Sequence, residues 1–286
     1  MTPPRRTPPK VSIVTICFNQ APFLERALRS VLDQDYPNLE YVVVDPGSTD
    51  GSREILDRYR DRIDSLILDP DDGPPDGLNN GFAATTGDIL GYLNADDAFL
   101  PGTVAEAVDA LTARPDWDAV TGNGYMVDRE GHVTREFRST GFSLWGQAYG
   151  SVVIMQQATF FRRAAFAATD GFNPDNRTSW DIELLLDMAL AGKRIGRVAN
   201  HWGVFRIHGE SITGSQTLAA TSRLNWDRMF EKIMGRPKRP ADKLLRPVAR
   251  LVKWLRHPDI LLAAIRDRYL GPPDLGRLGE IDGAKR

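Results

Sequence analysis

The sequence predicts an α/β fold, a Rossmann-like, mostly parallel central sheet flanked by helices. Three observations lead there. Short β-branched runs alternate with stretches of helical spacing through residue 115, and such alternation marks parallel strands joined by helical crossovers. Two of the runs deliver acids at their carboxyl ends, Asp45 after residues 39–44 and Asp96-Asp97 after residues 89–93; in open α/β sheets ligands bind beyond that edge. The composition, 42% hydrophobic and 26% charged over 286 residues, is that of a globular chain with room for one large domain or two small ones.

The elements follow in order. Val11-Ser12-Ile13-Val14-Thr15-Ile16 is a buried strand by composition. Asn19-Gln20-Ala21-Pro22 turns the chain, and apolar positions 23, 24, 27, 28, 31 and 32 then have helical spacing until Pro37-Asn38 breaks it. Residues 39–44 form the second strand. Gly47-Ser48-Thr49-Asp50-Gly51 is a loop of capping residues ahead of a helix over 52–59. A third strand is expected at 65–68, a helix at 78–85 ended by Gly87, and a fourth strand at 89–93. Pro101 opens a helix that runs to residue 113.

From 117 to 153 the pattern weakens. Asp128-Arg129-Glu130-Gly131 reads as a hairpin turn, 156–161 as a strand, 180–192 as a helix and 203–207 as a further strand. The expected division is a tail at 1–10, a domain over 11–234 with halves 11–115 and 116–234, and a basic amphipathic helical extension over 235–286. In the extension Leu244, Val248, Leu251 and Leu255 recur at helical spacing among Lys243, Arg246, Arg250, Lys253 and Arg256. Such a helix can lie on an anionic membrane surface through residues 243–270, or pack on the domain with its basic face in water.

The formal net charge of -2 offers no global excess for a nucleic acid. Cys17 is the only cysteine, so no intrachain disulfide forms, which fits a cytoplasmic setting; its apolar neighbours make it a buried thiol rather than a nucleophile. No uninterrupted apolar stretch approaches the ~20 residues that span a bilayer. Residues 1–10, with four prolines and three basic residues, read as a short disordered tail and not as a secretory signal.

Adjacent carboxylates after a strand are costly when buried unpaired, and a divalent cation offsets that cost because hard cations take oxygen ligands. The Asp96-Asp97 pair therefore reads as a metal site or, equally, as a helix cap ahead of Pro101. Asp45 can accept a hydrogen bond from a base or ribose, whereas Ser48, Thr49 and Asp50 suit turn and cap chemistry. Asp181 opens a helix, where an acid is favourable in any case; as a general base it would have to reach an acceptor hydroxyl. His208 is either structural or the completion of a metal shell.

Val14-Thr15-Ile16-Cys17-Phe18-Asn19-Gln20 resembles the opening strand of the inverting, family 2 type nucleotide-sugar glycosyltransferases. The stretch from Ser30 through Asp33-Gln34-Asp35-Tyr36-Pro37-Asn38 to Asp45 is similar to the family's next segment, and Gly47-Ser48-Thr49-Asp50-Gly51-Ser52 continues it. Asn79-Asn80-Gly81, Thr86-Gly87-Asp88-Ile89 and Leu93-Asn94-Ala95-Asp96-Asp97 follow in the family's order. Gln156-Gln157-Ala158-Thr159-Phe160-Phe161-Arg162, Gly171-Phe172 and Asp181-Ile182-Glu183-Leu184 complete a resemblance that covers residues 11–213.

The resemblance implies a nucleotide-diphospho-sugar transferase fold of the GT-A type. It implies an inverting hexosyltransferase that takes its sugar from a nucleotide donor, most simply a UDP-sugar, to an acceptor hydroxyl in cell-surface polysaccharide or glycolipid assembly. Thr15, Cys17, Phe18, Asn19 and Asp45 would hold the nucleoside, with Asn79, Asn94 and Asp96 completing the donor side. Asp97 and His208 would bind Mn2+ or Mg2+. Gln156, Gln157 and Trp180 would line the acceptor side, and Asp181 would be the base. Expected partners are the donor and a saccharide or lipid-linked acceptor, at the inner face of a membrane. Pro46 stands where many members carry a second acid, and Leu78 where many carry an arginine. Asp69-Pro70-Asp71-Asp72-Gly73-Pro74-Pro75 is unusually acidic and stiff.

Two other readings share these residues. A nucleotidyltransferase also uses paired acids on a parallel sheet, but it would be expected to carry a glycine-rich basic loop after the first strand, and Phe18-Asn19-Gln20-Ala21-Pro22 is not one. A non-catalytic saccharide-binding or scaffolding member of the fold is the other, against which the intact Asp96, Asp97 and Asp181 argue.

Overall fold

Side chains alternate along each strand, and this alternation gives the sheet two buried faces. The structure, a computed structural model, describes residues 7–209, 219–270, 276–277 and 279. In β1 (Val11–Ile16) Val11 and Ile13 join one hydrophobic cluster and Val14 the other. In β2 (Leu39–Val44) Tyr41 and Val43 face the first cluster, and Val42 and Val44 the second. Strands buried on both faces read as continuous apolar runs, which is why these two stood out in the sequence.

The remaining strands are β3 (Ser65–Ile67), β4 (Ile89–Asn94), β5 (Ala98–Phe99), β6 (Ala119–Val127), β7 (Val133–Phe137), β8 (Thr159–Arg162) and β9 (Ile195–Arg206). They form one sheet in the order β3-β2-β1-β4-β8-β6-β9-β5, with β7 paired to β6. β1, β2, β3, β4, β6 and β9 run one way, and β5, β7 and β8 run against them. Chain order reverses between β1 and β4, so their carboxyl ends frame a crevice.

Helices cover both faces. α1 (Ala21–Leu32) buries Leu24, Ala27, Leu28 and Val31 in the first cluster, beside α2 (Ser52–Tyr59) and α4 (Thr103–Ala113). α3 (Pro74–Ala83) packs on the second face through Leu78 and Phe82. It lies so close that a Cβ on Gly81 would collide with Val14. The expected helix at 78–85 thus begins earlier, because Pro74-Pro75 supplies its first turn. α5 (Leu144–Ala148) and α6 (Arg163–Phe166) are short, and α7 (Trp180–Leu190) buries Leu184, Leu185 and Met188 in the second cluster.

Beyond these come α8 (Ala219–Met234), α9 (Leu245–Arg256) and α10 (Pro258–Leu270). The extension packs on the domain: Tyr149, Phe230 and Ala249 form a buried cluster, the Gly141 amide donates to His257 Nε2 at 3.0 Å, and Arg197 pairs with Asp259. No helix among the described residues is long and apolar enough to cross a membrane.

Residues 1–6 of the expected tail and 210–213 of the family-like stretch lie outside the described residues. What is described of the tail corrects the expectation of disorder through residue 10. Asn38 and Tyr36 donate to the carbonyls of Pro8 and Pro9, and Lys10 pairs with Glu40 and Thr86. Burial would raise the Glu40 carboxyl, but Lys10, Ser12 and Thr86 bring it down to about 2.

Candidate active site

A cleft of about 780 Å³ opens at the carboxyl ends of β1 and β4. One wall includes Cys17, Phe18, Pro46, Asp71, Asp72, Asn94 and Asp96. The opposite wall includes Gln156, Gln157, Arg177, Thr178, Trp180 and Asp181. The described lining thus carries four carboxylates and a single cationic side chain, Arg177, which reaches across to donate to the Asp72 carbonyl at 3.0 Å.

The adjacent acids, expected to divide as Asp97 for the metal and Asp96 for the ribose side, sit differently in the structure. Asp97 is 2% exposed and lies outside the cleft lining. Its Oδ1 accepts from the Arg206 amide at 2.9 Å, and its Oδ2 accepts from Gln157 Nε2 at 2.7 Å and Asn94 Nδ2 at 3.1 Å. Burial, then the charge of Asp96, pushes its carboxyl well above the usual range. Three protein donors hold Asp97 in place, so of the two acids Asp96 has the freer carboxylate toward the cleft. Asp96 lines the cleft instead, with Oδ2 at 3.1 Å from Nε2 of His208, whose side chain is fully buried against Phe23.

Carboxylate and imidazole atoms about 3 Å apart are spaced as neighbouring ligands of one divalent cation, for ligand bonds of about 2.0–2.2 Å. Arg206 was not singled out in the sequence, yet it fixes this corner. Its backbone amide holds Asp97, its guanidinium donates to the carbonyls of Asp96, Asp128 and Arg129, and it lies 4.9 Å over the Phe23 ring. Among the described residues the one cluster of three or more metal-binding side chains is Asp128, Glu130 and His132. It sits at the β6–β7 turn, outside the cleft lining. There the His132 amide and Nδ1 engage Asp128, and Nε2 accepts from Arg277.

On the nucleoside side the expected residues separate. Cys17 and Phe18 line the cleft, Phe18 with its ring 58% exposed. Burial, then the charge of Asp45, raises the Cys17 thiol to about 12, which removes it as a nucleophile. Thr15 does not reach the cleft: it is fully buried and accepts from the Tyr41 hydroxyl at 2.8 Å. Asn19 is also off the lining. It adopts the left-handed conformation, φ 53°, that Asn tolerates, and its Oδ1 accepts from the Thr49 amide. Asp45 lies below the surface, where Oδ1 accepts from the Gly47 and Ser48 amides and from Arg53, while Oδ2 is buried with no hydrogen-bond partner. Asn79 belongs to neither wall; its amide clamps the Phe172 backbone with bonds of 2.8 and 2.9 Å. Asp50 accepts from the Ser52 and Ala21 amides at the first residues of α2 and α1.

On the other wall Gln156 donates to the Tyr92 carbonyl at 2.9 Å, and the buried Trp180 indole N–H has no partner. Asp181 follows at the start of α7, with burial raising its carboxyl. Buried Tyr92 lies within electrostatic reach of both Asp181 and Asp97, so the two acids share one end of β4. The loop before α7 is pinned by Asn176, fully buried, whose Oδ1 accepts from the Thr178 and Ser179 amides and from Asn225 of α8. Glu183, its side chain 2% exposed, in turn accepts from Asn173, Asn176 and Arg228.

Acids at and beyond the parallel edge thus share one cleft with Asp181 at the start of α7. The chain belongs to glycosyl transferase family 2, whose sequence model matches residues 12–169. It is 34% identical over 184 residues to an uncharacterized glycosyltransferase of Mycobacterium tuberculosis, covering 64% of this chain and 70% of that one. It is 29% identical over 137 residues to the GalNAc(5)-diNAcBac-PP-undecaprenol beta-1,3-glucosyltransferase of Campylobacter jejuni, covering 46% of this chain and 43% of that enzyme. Among solved structures it superposes on S. aureus TarS 1-349 in complex with UDP-GlcNAc, with TM-score 0.65, 17% identity and coverage of 87% and 73%. It also superposes on the mannosyltransferase PcManGT of Pyrobaculum calidifontis in complex with GDP-Man and Mn2+, with TM-score 0.61, 21% identity and coverage of 87% and 70%. The fold is therefore of the GT-A type.

Proposed function

We propose that the protein is an inverting, metal-dependent glycosyltransferase that moves a sugar from a nucleoside diphosphate donor, a UDP-sugar by preference, to an acceptor hydroxyl. One observation carries the reading: Asp96, with His208 bonded behind it, and Asp181 line a single cleft whose described lining is acidic. A diphosphate is repelled by such a lining unless a cation accompanies it. Asp96 and His208 are the residues that would hold that cation, Mn2+ or Mg2+, with diphosphate oxygens and water supplying the rest of its shell. Bound there, the ion would neutralise the charge that develops on the leaving diphosphate.

The protein's own groups do the rest. The exposed Phe18 side chain offers a stacking face to the base. Trp180 presents an unpaired indole N–H to the sugar or acceptor. The acceptor oxygen attacks the anomeric carbon as the carbon–oxygen bond to the diphosphate breaks on the opposite face. Asp181 takes the hydroxyl proton, for which a burial-raised carboxylate is well suited.

The Campylobacter relative's name places a lipid-linked saccharide among the acceptors of the family. A comparable acceptor in cell-surface polysaccharide or glycolipid assembly, met at the cytoplasmic face of a membrane, is the one we assign here. The test is a screen of UDP-, GDP- and dTDP-sugars for thermal stabilisation with and without manganese. A cognate donor at a hundredfold its dissociation constant should stabilise by about 2.7 kcal/mol. If no donor stabilises the protein with metal present, the reading fails.

A further inference from the structure

We propose that α9 docks on an anionic lipid bilayer through an exposed apolar stripe, drawn to the surface by the basic side chains of residues 236–256. This deepens the membrane-side reading above and supplies it with a surface. Residues 236–256 hold eight basic side chains against the single acid Asp242, a local charge of +7 in a chain whose formal total is -2. Asp242 is itself taken up by Arg236 at 2.7 and 2.8 Å.

The same segment exposes an apolar stripe. Leu244, Val248, Leu251 and Leu255 are 75%, 45%, 54% and 73% exposed, and separations of four, three and four residues place them on one side of a helix. The neighbouring flank, Leu245 and Ala249, is already covered by the cluster with Tyr149 and Phe230. Arg246, Arg250 and Lys253 fall on the far side from the stripe at 100° per residue. An apolar stripe with cations opposite is the arrangement of a helix lying in the plane of a lipid interface, with long basic side chains reaching to the headgroups.

Between α8 and residues 238–246 lies a hollow of about 670 Å³ lined by Trp226, Arg223, Lys238, Lys243 and Arg246, with Asp227 bonded to Lys238 at 2.6 Å. Arg246 stands on the far side of α9 from the stripe, so these cations add to the attraction of an anionic surface rather than entering it. A second copy of the chain is disfavoured as occupant, because it would bring together two segments that each carry a local charge of +7. A nucleic acid would leave the stripe uncovered. The bonds of His257 to Gly141 and of Arg197 to Asp259 fix this face relative to the cleft, so docking would hold the cleft at a set height above the headgroups.

Co-sedimentation of the full chain with vesicles of phosphatidylcholine, alone or mixed with phosphatidylglycerol, tests this. Sedimentation with the anionic vesicles only, weakened by salt, is the expected result. Leu251→Asp with Leu255→Asp, and separately Lys243→Glu with Arg246→Glu, should each lower vesicle affinity roughly tenfold or more. All four positions are exposed, so the melting temperature and manganese-dependent donor binding should stay unchanged; donor binding also reports on the transferase reading independently of the vesicles. Failure to sediment with anionic vesicles, equal sedimentation with both compositions, or unaltered binding by either variant overturns the proposal. So does a vesicle-free oligomer that the stripe variant abolishes, since it would identify a second copy as the occupant.

Discussion

At Asp97 both carboxylate oxygens are committed to protein donors, whereas one residue earlier Asp96 faces the cleft beside His208. The sequence shows two equal acids. What divides them is contact with Gln157 and Arg206, residues 60 and 109 positions away, which no local pattern encodes. Asp181 was assigned correctly to the start of a helix, and its placement in the cleft gives it a testable titration. Burial raises its carboxyl above the usual Asp value near 3.9. The base must be ionised, so nucleotide release from the donor should rise with pH along an acid limb whose midpoint lies above that value. Asp181→Asn should lower turnover by about 10²–10⁴ with donor binding retained and the limb abolished. Normal turnover in that variant removes Asp181 as the base.

At the scale of elements, α7 and the loop before it depend on α8. Glu183 and Asn176 collect Asn173, Asn225 and Arg228 into one buried polar network, so the loop bearing Arg177, Thr178 and Trp180 is held from the C-terminal side. Glu183→Ala should destabilise the protein by about 3 kcal/mol, because it strips the partner from buried amides and from Arg228; denaturant unfolding measures this, and a change below about 0.5 kcal/mol would show the network idle. Burial would raise the Glu183 carboxyl, but Arg228, Asn176 and Asn173 outweigh it and lower its value. Its contribution is therefore present above the unfolded Glu value near 4.3 and is lost as pH falls through the lower folded one. The network was invisible in the sequence, because Asn225 and Arg228 stand 49 and 45 positions from Asn176 and Glu183. β1 and β2 were legible to the residue, because strands buried on both faces are unbroken apolar runs. β6 and the first half of β9 were not. Thr121-Gly122-Asn123-Gly124 interrupts β6 with small and polar residues where the backbones of β6 and β9 come so close that a Cβ on Gly124 would strike the Gly203 carbonyl.

Over the whole molecule, a formal charge of -2 conceals a strong separation. The acids gather at the cleft and the cations on the C-terminal face, and each end suits a different substrate: a cation-bound diphosphate at one, a lipid surface at the other. Bulk composition averaged this away, and only the fold shows which charges lie together. The central claim is that Asp96, not Asp97, presents the donor's counter-ion, and titration calorimetry of the cognate nucleotide-sugar tests it most directly. With manganese the native protein should bind the donor at least about tenfold tighter than in chelator, a difference of about 1.4 kcal/mol. Asp96→Asn should erase that difference while leaving the melting temperature of the free protein nearly unchanged. An Asp96→Asn variant that keeps its manganese dependence, or a native protein indifferent to manganese and magnesium alike, would contradict the account.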